Sequence, residues 1–302
     1  MKSYTTIRNL YGTLTNNNAA TNLTLGDQLI NDAYRGVCVA ANWDFMQTTA
    51  TASTVSAQQY VNLPSDYDKL VYVSVTIGTT KYTPREATSR EMWDMLNQST
   101  NFQSNTPEWF FIDAGRCYFF PTPSSATTDA VTFSYRKRVA DLAVADYTTG
   151  TVSALTSGAT TVTGSGTTWT APMIGRWIKI DTTNTAGASG DGMWYQIATV
   201  VSATSLTLTR AYAGATISAG TTYTIGQMSL LPEAYQDMPL YKAISTYFAS
   251  VEPDAGKSDR YMGMYTDLLL RMKADHGSKT ISPVVDDGMY RYMISPNLVI
   301  TL

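Results

Sequence analysis

Apolar residues recur at helical spacing near both ends of this sequence, and neither set can be buried where it stands. Near the start, Leu25, Leu29, Ile30, Ala33, Val37, Ala40 and Ala41 fall on one face, with Thr24 expected as N-cap and Asp27 as its capping-box partner. Near the end, Leu240, Ile244, Tyr247, Phe248 and Val251 form a second stripe after Pro232, a residue tolerated in a first helical turn. Pro253 stops that helix, and Asp254 caps a third whose stripe is Tyr261, Met264, Tyr265, Leu268, Leu269 and Met272, ended by Gly277. A two-helix hairpin leaves one side of each stripe wet, so the first helix is needed as a third wall. Whatever lies between must be held by a domain that begins before it and finishes after it.

The intervening sequence changes period. Leu70 to Ile77 alternates with β-branched residues, Gly78 turns it, and Lys81-Tyr82-Thr83-Pro84 starts a partner strand. Thr88 and Glu91 make a second capping box before Met92, Trp93 and Leu96. Two aromatic strands flank the turn Asp113-Ala114-Gly115, and Val131, Phe133 and Tyr135 then alternate with polar neighbours, the mark of a strand with one wet face. From Thr149 to Ile225 Gly, Ser, Thr and Val dominate, with short strands expected at Thr160–Thr163, Trp177–Ile180, Trp194–Val200 and Ser205–Leu208. The expected fold is α+β. A discontinuous helical-bundle domain over 1–148 and 226–277 carries strands at about 60–139; a small all-β barrel or sandwich is inserted over 149–225; an extended C-terminal arm occupies 278–302.

The arm is apolar at its end, through Leu298, Val299, Ile300 and Leu302. Ordering each of its residues costs about 1–2 kcal/mol of backbone entropy. Each buried large apolar side chain returns about 1.5–3 kcal/mol. The arm is therefore expected to be loose until a neighbouring subunit or partner offers an edge or groove.

Catalytic chemistry finds little to work with. The chain has one histidine, His276 at a helix end, so multi-histidine metal sites are excluded and Ser-His-Asp or Cys-His sites could be assembled only around that position, where the His is read as a complement to the helix dipole. Asp66 and Asp68 flank Tyr67 and are read as a turn before a strand rather than a carboxylate pair. Gly164-Ser165-Gly166 has strand-like sequence on both sides and no Lys beside it, so it is read as a hairpin turn and not a phosphate loop. No catalytic residue, cofactor or metal is expected. Trp169, Trp194 and Tyr195 could form a glycan-stacking platform, the alternative being core packing. Arg136, Lys137 and Arg138 are the one dense basic run, suited to solvent, to a subunit interface or to DNA phosphates.

With a net charge of -3 there is no global basic field for nucleic acid or membrane surfaces. No apolar run approaches the roughly 18 residues that span a bilayer. Two cysteines are too few for a disulfide framework, and nothing at the N-terminus reads as a secretory signal. Folding in the cytoplasm with reduced thiols is the expectation.

The order of motifs carries a resemblance. LINDAYRGVCVAANWDF, LPSDYDKLVYVSV, TPEWFFIDAGRCYFFPTP and VTFSYRKRVADL precede the Gly/Thr-rich insert, and SLLPEAYQDMPLYKAISTYFA follows it. This arrangement, from about Leu25 to Gly277, resembles the head-to-tail adaptor (head-completion) proteins of tailed bacteriophages. The resemblance implies a non-enzymatic virion component, assembled in the host cytoplasm. It implies a ring, usually of twelve copies, beneath the portal protein, through which genomic DNA passes with transient contacts. Tail proteins (nozzle, stopper or tail tube) would be built onto that ring. It also implies that a terminal segment docks on the portal or on adjoining subunits. Here that segment maps to Tyr290, Tyr292, Met293, Ile294, Leu298, Val299, Ile300 and Leu302.

Overall fold

The structure, a computed structural model, describes residues 1–98, 102–182, 189–218, 220–277, 282–286, 289–295 and 298–301. In chain order, α1 (Tyr4–Leu14) and α2 (Ala20–Val39) precede β1 (Gln47–Thr54), β2 (Tyr60–Asn62), β3 (Tyr67–Ile77), β4 (Thr80–Tyr82) and β5 (Arg85–Glu86). Next come α3 (Arg90–Leu96), β6 (Trp109–Asp113), β7 (Arg116–Phe120) and β8 (Thr127–Lys137). The Gly/Thr-rich stretch supplies β9 (Thr151–Ala154), β10 (Thr161–Ser165), β11 (Trp177–Ile180), β12 (Trp194–Ser202), β13 (Ser205–Leu208) and β14 (Tyr223–Gly226). Helices α4 (Met238–Ser250) and α5 (Ala255–His276) follow, then β15 (Ser282–Asp286), β16 (Met289–Ser295) and β17 (Leu298–Thr301). These make two compact units: 1–40 with 140–275, and 41–139 with 276–302. The sequence-based division instead set 149–225 apart and kept the strands of 41–139 with the bundle.

In the first unit, the buried face of α2 meets α4, and α1 closes the third side. Ile7, Tyr11, Ile30, Leu240, Ala243, Ile244, Tyr247 and Phe248 form the shared core. Helices from the two ends of the sequence thus bury each other's stripes. Helix α1 escaped the sequence reading because Ile7, Leu10, Tyr11 and Leu14 are diluted by Thr and Asn. Its Ser3 cap is real, accepting from the Thr6 N–H at 3.3 Å. Helix α2 begins at Ala20, four residues before the expected cap: Thr24 lies inside it and its hydroxyl donates back to the Ala20 carbonyl at 2.9 Å. Asp27, freed of any capping task, takes Arg8 Nε at 2.8 Å. Helix α4 starts at Met238 with Pro239 in its first turn, whereas Pro232 precedes a separate 3-10 turn, Glu233–Tyr235.

The same unit carries a six-stranded antiparallel sheet in the order β14-β11-β12-β13-β10-β9. Isolated bridges from Val152 to Thr221 and from Leu155 to Ile217 tie the β9 edge to the chain leading into β14, so the sheet curls toward closure. Its interior is filled by alternate residues of each strand, among them Val162, Ile178, Ile180, Tyr195, Ile197, Leu206, Leu208, Tyr223 and Ile225. The two chain passages at its base are fastened by α1. Ser3 Oγ donates to Asp146 at 2.8 Å, and the Tyr4 N–H donates to the Gln227 carbonyl at 2.8 Å.

The second unit is a two-sheet sandwich. One sheet runs β1-β8-β3-β4 and the other β2-β7-β6-β5, antiparallel except for the β5–β6 pair. Val73, Val75, Val131, Phe133 and Tyr135 of the first face Val61, Phe110, Cys117 and Phe119 of the second. Ala114 and Gly115 both take positive φ, 47° and 76°, giving the two-residue turn whose twist suits the β6–β7 hairpin. Strand β1 went unread in sequence because Gln-Thr-Thr-Ala-Thr-Ala-Ser-Thr has no large apolar residue to mark a period. It is held by seven register pairs with β8. The α3 cap is Ser89 rather than Thr88, its hydroxyl accepting from the Met92 N–H at 3.1 Å.

The last segment is not one extended arm. Its described residues form an antiparallel meander in which β16 pairs with both β15 and β17.

Candidate interaction surfaces

Groups that could suggest chemistry are engaged in holding the fold. His276 sets Nδ1 3.2 Å from both Asp44 carboxylate oxygens, and its ring meets Phe45 edge-on at 5.9 Å. Asp66 accepts the Tyr135 hydroxyl at 2.6 Å, while Asp68 pairs with Arg136 at 2.6 Å. The two carboxylates therefore clamp the start of β3 onto the end of β8. Among the described residues, no group of three or more His, Cys, Asp or Glu side chains could hold a metal ion. Both cysteines are buried, and burial drives the Cys117 thiol far above its usual pKa.

The glycine knuckle is a bulged strand end and not a hairpin tip. Gly164 and Ser165 pair with Val152 and Thr151 of β9, with the register slipping between Thr163 and Gly164. A Cβ on Gly164 would lie 2.6 Å from Thr167 Oγ1 and 2.8 Å from the Trp169 ring. Glycine is there so that the chain can fold tightly over Trp169, and Gly166, at φ 66°, turns it away.

Trp169, Trp194 and Tyr195 do not share a surface. Trp169 is 2% exposed and donates its indole N–H to the Tyr223 hydroxyl at 2.9 Å. Tyr195 is equally buried, its hydroxyl bonded to Asp191. Trp194 stays half-buried with Lys179 Nζ 5.4 Å over its ring. Two of the three, Trp169 and Tyr195, supply core volume.

Of the basic run, Arg136 is tied to Asp68 and half-buried, Lys137 is half-buried, and Arg138 is exposed with its N–H on the Asp66 carbonyl at 2.6 Å. The docking residues Tyr290, Tyr292, Met293 and Ile294 fall in β16, and Leu298, Val299 and Ile300 in β17; Leu302 lies outside the described residues.

Helix α5 is the surface the sequence reading missed. Over its 22 residues only Met272 is buried. Its first turns pack on α4, where Phe248 stacks on Tyr261 at 6.4 Å and Tyr241 lies 6.2 Å from Tyr261. Met262 and Met264 are left more than a third exposed, and Leu270 is 62% exposed. The stripe expected to be buried is half-covered. The signal was available in sequence: apolar residues lie on more than one side of this helix, and α4 covers only one.

No curated protein matches this sequence. A family model described as SU10 adaptor protein matches residues 2–160. That span runs from α1 through the whole sandwich to just past β9, the first strand of the Gly/Thr-rich module, more than half of the chain. The motif order and the fold built from it agree with that match, and the chain belongs to the SU10 adaptor protein family, a family of phage head-tail adaptors.

Proposed function

We propose that this structural protein of a phage virion acts as a closed ring beneath the portal, with the tail built on its far side and genomic DNA passing through it. The observation carrying the ring is α5, whose Met262, Met264 and Leu270 remain in water in the single chain. Scattered exposed hydrophobics are ordinary, but Met264 lies about 160° round the helix from Met262, so α5 offers apolar contact on more than one side, as a subunit flanked by two neighbours needs. Family membership supplies the context of portal and tail. Twelve copies is the number that the resemblance implies. The C-terminal segment, with Tyr290, Tyr292, Met293, Ile294, Leu298, Val299 and Ile300 in the meander and Leu302 beyond the described residues, is the one that would reach the portal or an adjoining subunit. Arg136, Lys137 and Arg138 would serve an interface or the DNA channel.

The test is the mass of the assembled species, alone and with portal protein, together with class averages of the particle. A closed oligomer seated on the portal is expected. A chain that stays monomeric with portal present and binds no virion component overturns the reading.

A further inference from the structure

The first sheet of the sandwich has an open strand edge on each side. Strand β1 ends the sheet, bonded to β8 on one side and to no strand on the other among the described residues. Strand β3 is flanked by β8 along its length, but β4 covers only Val75–Ile77. Its stretch Tyr67–Ser74 therefore presents a second edge, about as long as β1.

Natural proteins protect such edges with charge, proline or bulges, because unpaired N–H and C=O groups invite another strand. From Gln47 to Thr54, β1 carries no charge and no proline, and its single irregularity lies at its end, between Ala52 and Thr54. The free part of β3 has Asp68, tied to Arg136, and Lys69 near one end, then Leu70-Val71-Tyr72-Val73-Ser74 without a charge. Its bulge between Leu70 and Tyr72 faces β8 and turns Val71 outward, leaving it 56% exposed beside Tyr72 at 47%. Alongside runs an open groove bounded by Pro84 and Glu86 and floored by Phe110 and Ile112, which gives the space an added strand needs.

We infer that β1 of one copy adds to the free part of β3 of the next, so that this sheet continues from subunit to subunit. The inference rests on the ring reading above and names the contact that closes it. Both edges belong to the same sheet of the same unit, so a second copy brings a β1 wherever it brings a β3. Strands β1 and β3 are each antiparallel to β8 and so run in the same direction. Copies related by rotation about a ring axis would pair them in parallel. Joining two different surfaces head to tail is the kind of contact that closes into rings.

The test uses full-length chains carrying Thr49→Cys or Val71→Cys, mixed and treated with a short bismaleimide. Cys38 and Cys117 are buried and should not react in the folded protein. Cross-linked dimers are expected in the mixture and not in either variant alone. Val71→Lys, at an exposed position, should melt like the parent yet assemble about tenfold more weakly. Rings that form without cross-linking, or self-linking by either variant, would overturn this contact while the ring stood. Absence of any ring on the portal would remove both readings.

Discussion

Asn31 and Leu142 exchange two hydrogen bonds: Asn31 Nδ2 donates to the Leu142 carbonyl at 2.9 Å, and the Leu142 N–H donates to Asn31 Oδ1 at 2.7 Å. A side-chain amide on α2 thereby replaces a strand neighbour for chain on its way into the curled sheet. Leu142 is 2% exposed, so its backbone groups have no water to fall back on. Asn31→Ala should cost about 1–3 kcal/mol, because it strands a buried donor and a buried acceptor together. Thermal or urea denaturation of the full chain measures this, and an unchanged midpoint would show that water reaches Leu142.

Two glycines of α2 should respond in opposite directions to the same substitution. A Cβ on Gly26 would sit 2.5 Å from two ring atoms of the buried Tyr11, whereas one on Gly36 meets nothing within 4 Å. Gly36→Ala should stabilise by roughly 0.5–1 kcal/mol through helix propensity. Gly26→Ala gains the same propensity but forces α1 and α2 apart, for a net loss of about 1–3 kcal/mol. Equal melting shifts for the pair would contradict the close approach of these helices.

The protein should be labile in alkali. Burial pushes Tyr11 and Tyr135 up to about 12, the latter aided by its bond to Asp66, and it drives Tyr4, Tyr34 and Tyr223 higher still. An unfolded chain loses its tyrosine protons near pH 10, so above that pH the folded state binds more protons than the unfolded one. Stability should therefore be unaffected by these groups below about pH 10 and fall from there toward about pH 12. Tyrosinate absorbance followed with circular dichroism checks this: part of the titration should appear only as the fold is lost. A complete titration with ellipticity intact would refute the burial.

Leu270→Lys should separate assembly from folding. The side chain is 62% exposed in the single chain, so its loss should change stability by no more than about 0.5 kcal/mol. If α5 faces a neighbour, a desolvated charge there should abolish or strongly weaken ring formation in analytical ultracentrifugation. Wild-type assembly by this variant would assign the exposed part of α5 to solvent.

Much of the architecture was legible in residue order. Strands β11 and β13 fall where alternation placed them, the β6–β7 turn sits on Ala114 and Gly115, and Asp254 caps α5 through the Lys257 N–H at 3.0 Å. These features are local: a period, a turn residue or a cap is written within a few neighbouring positions.

What only the tertiary structure decided depends on partners distant in sequence. Strand β1 has no period of its own and exists because β8 offers it a ladder. Trp169 and Tyr195 look alike as surface or core until the curl of the sheet turns them inward. The α5 stripe was written plainly, yet its burial depended on how much of it α4 could cover, which no local pattern records. Where a local period was strong, the sequence by itself determined which stretches are helical, which are extended and which faces are apolar. Folding decided which of those faces find each other within one molecule, and which are left for the next.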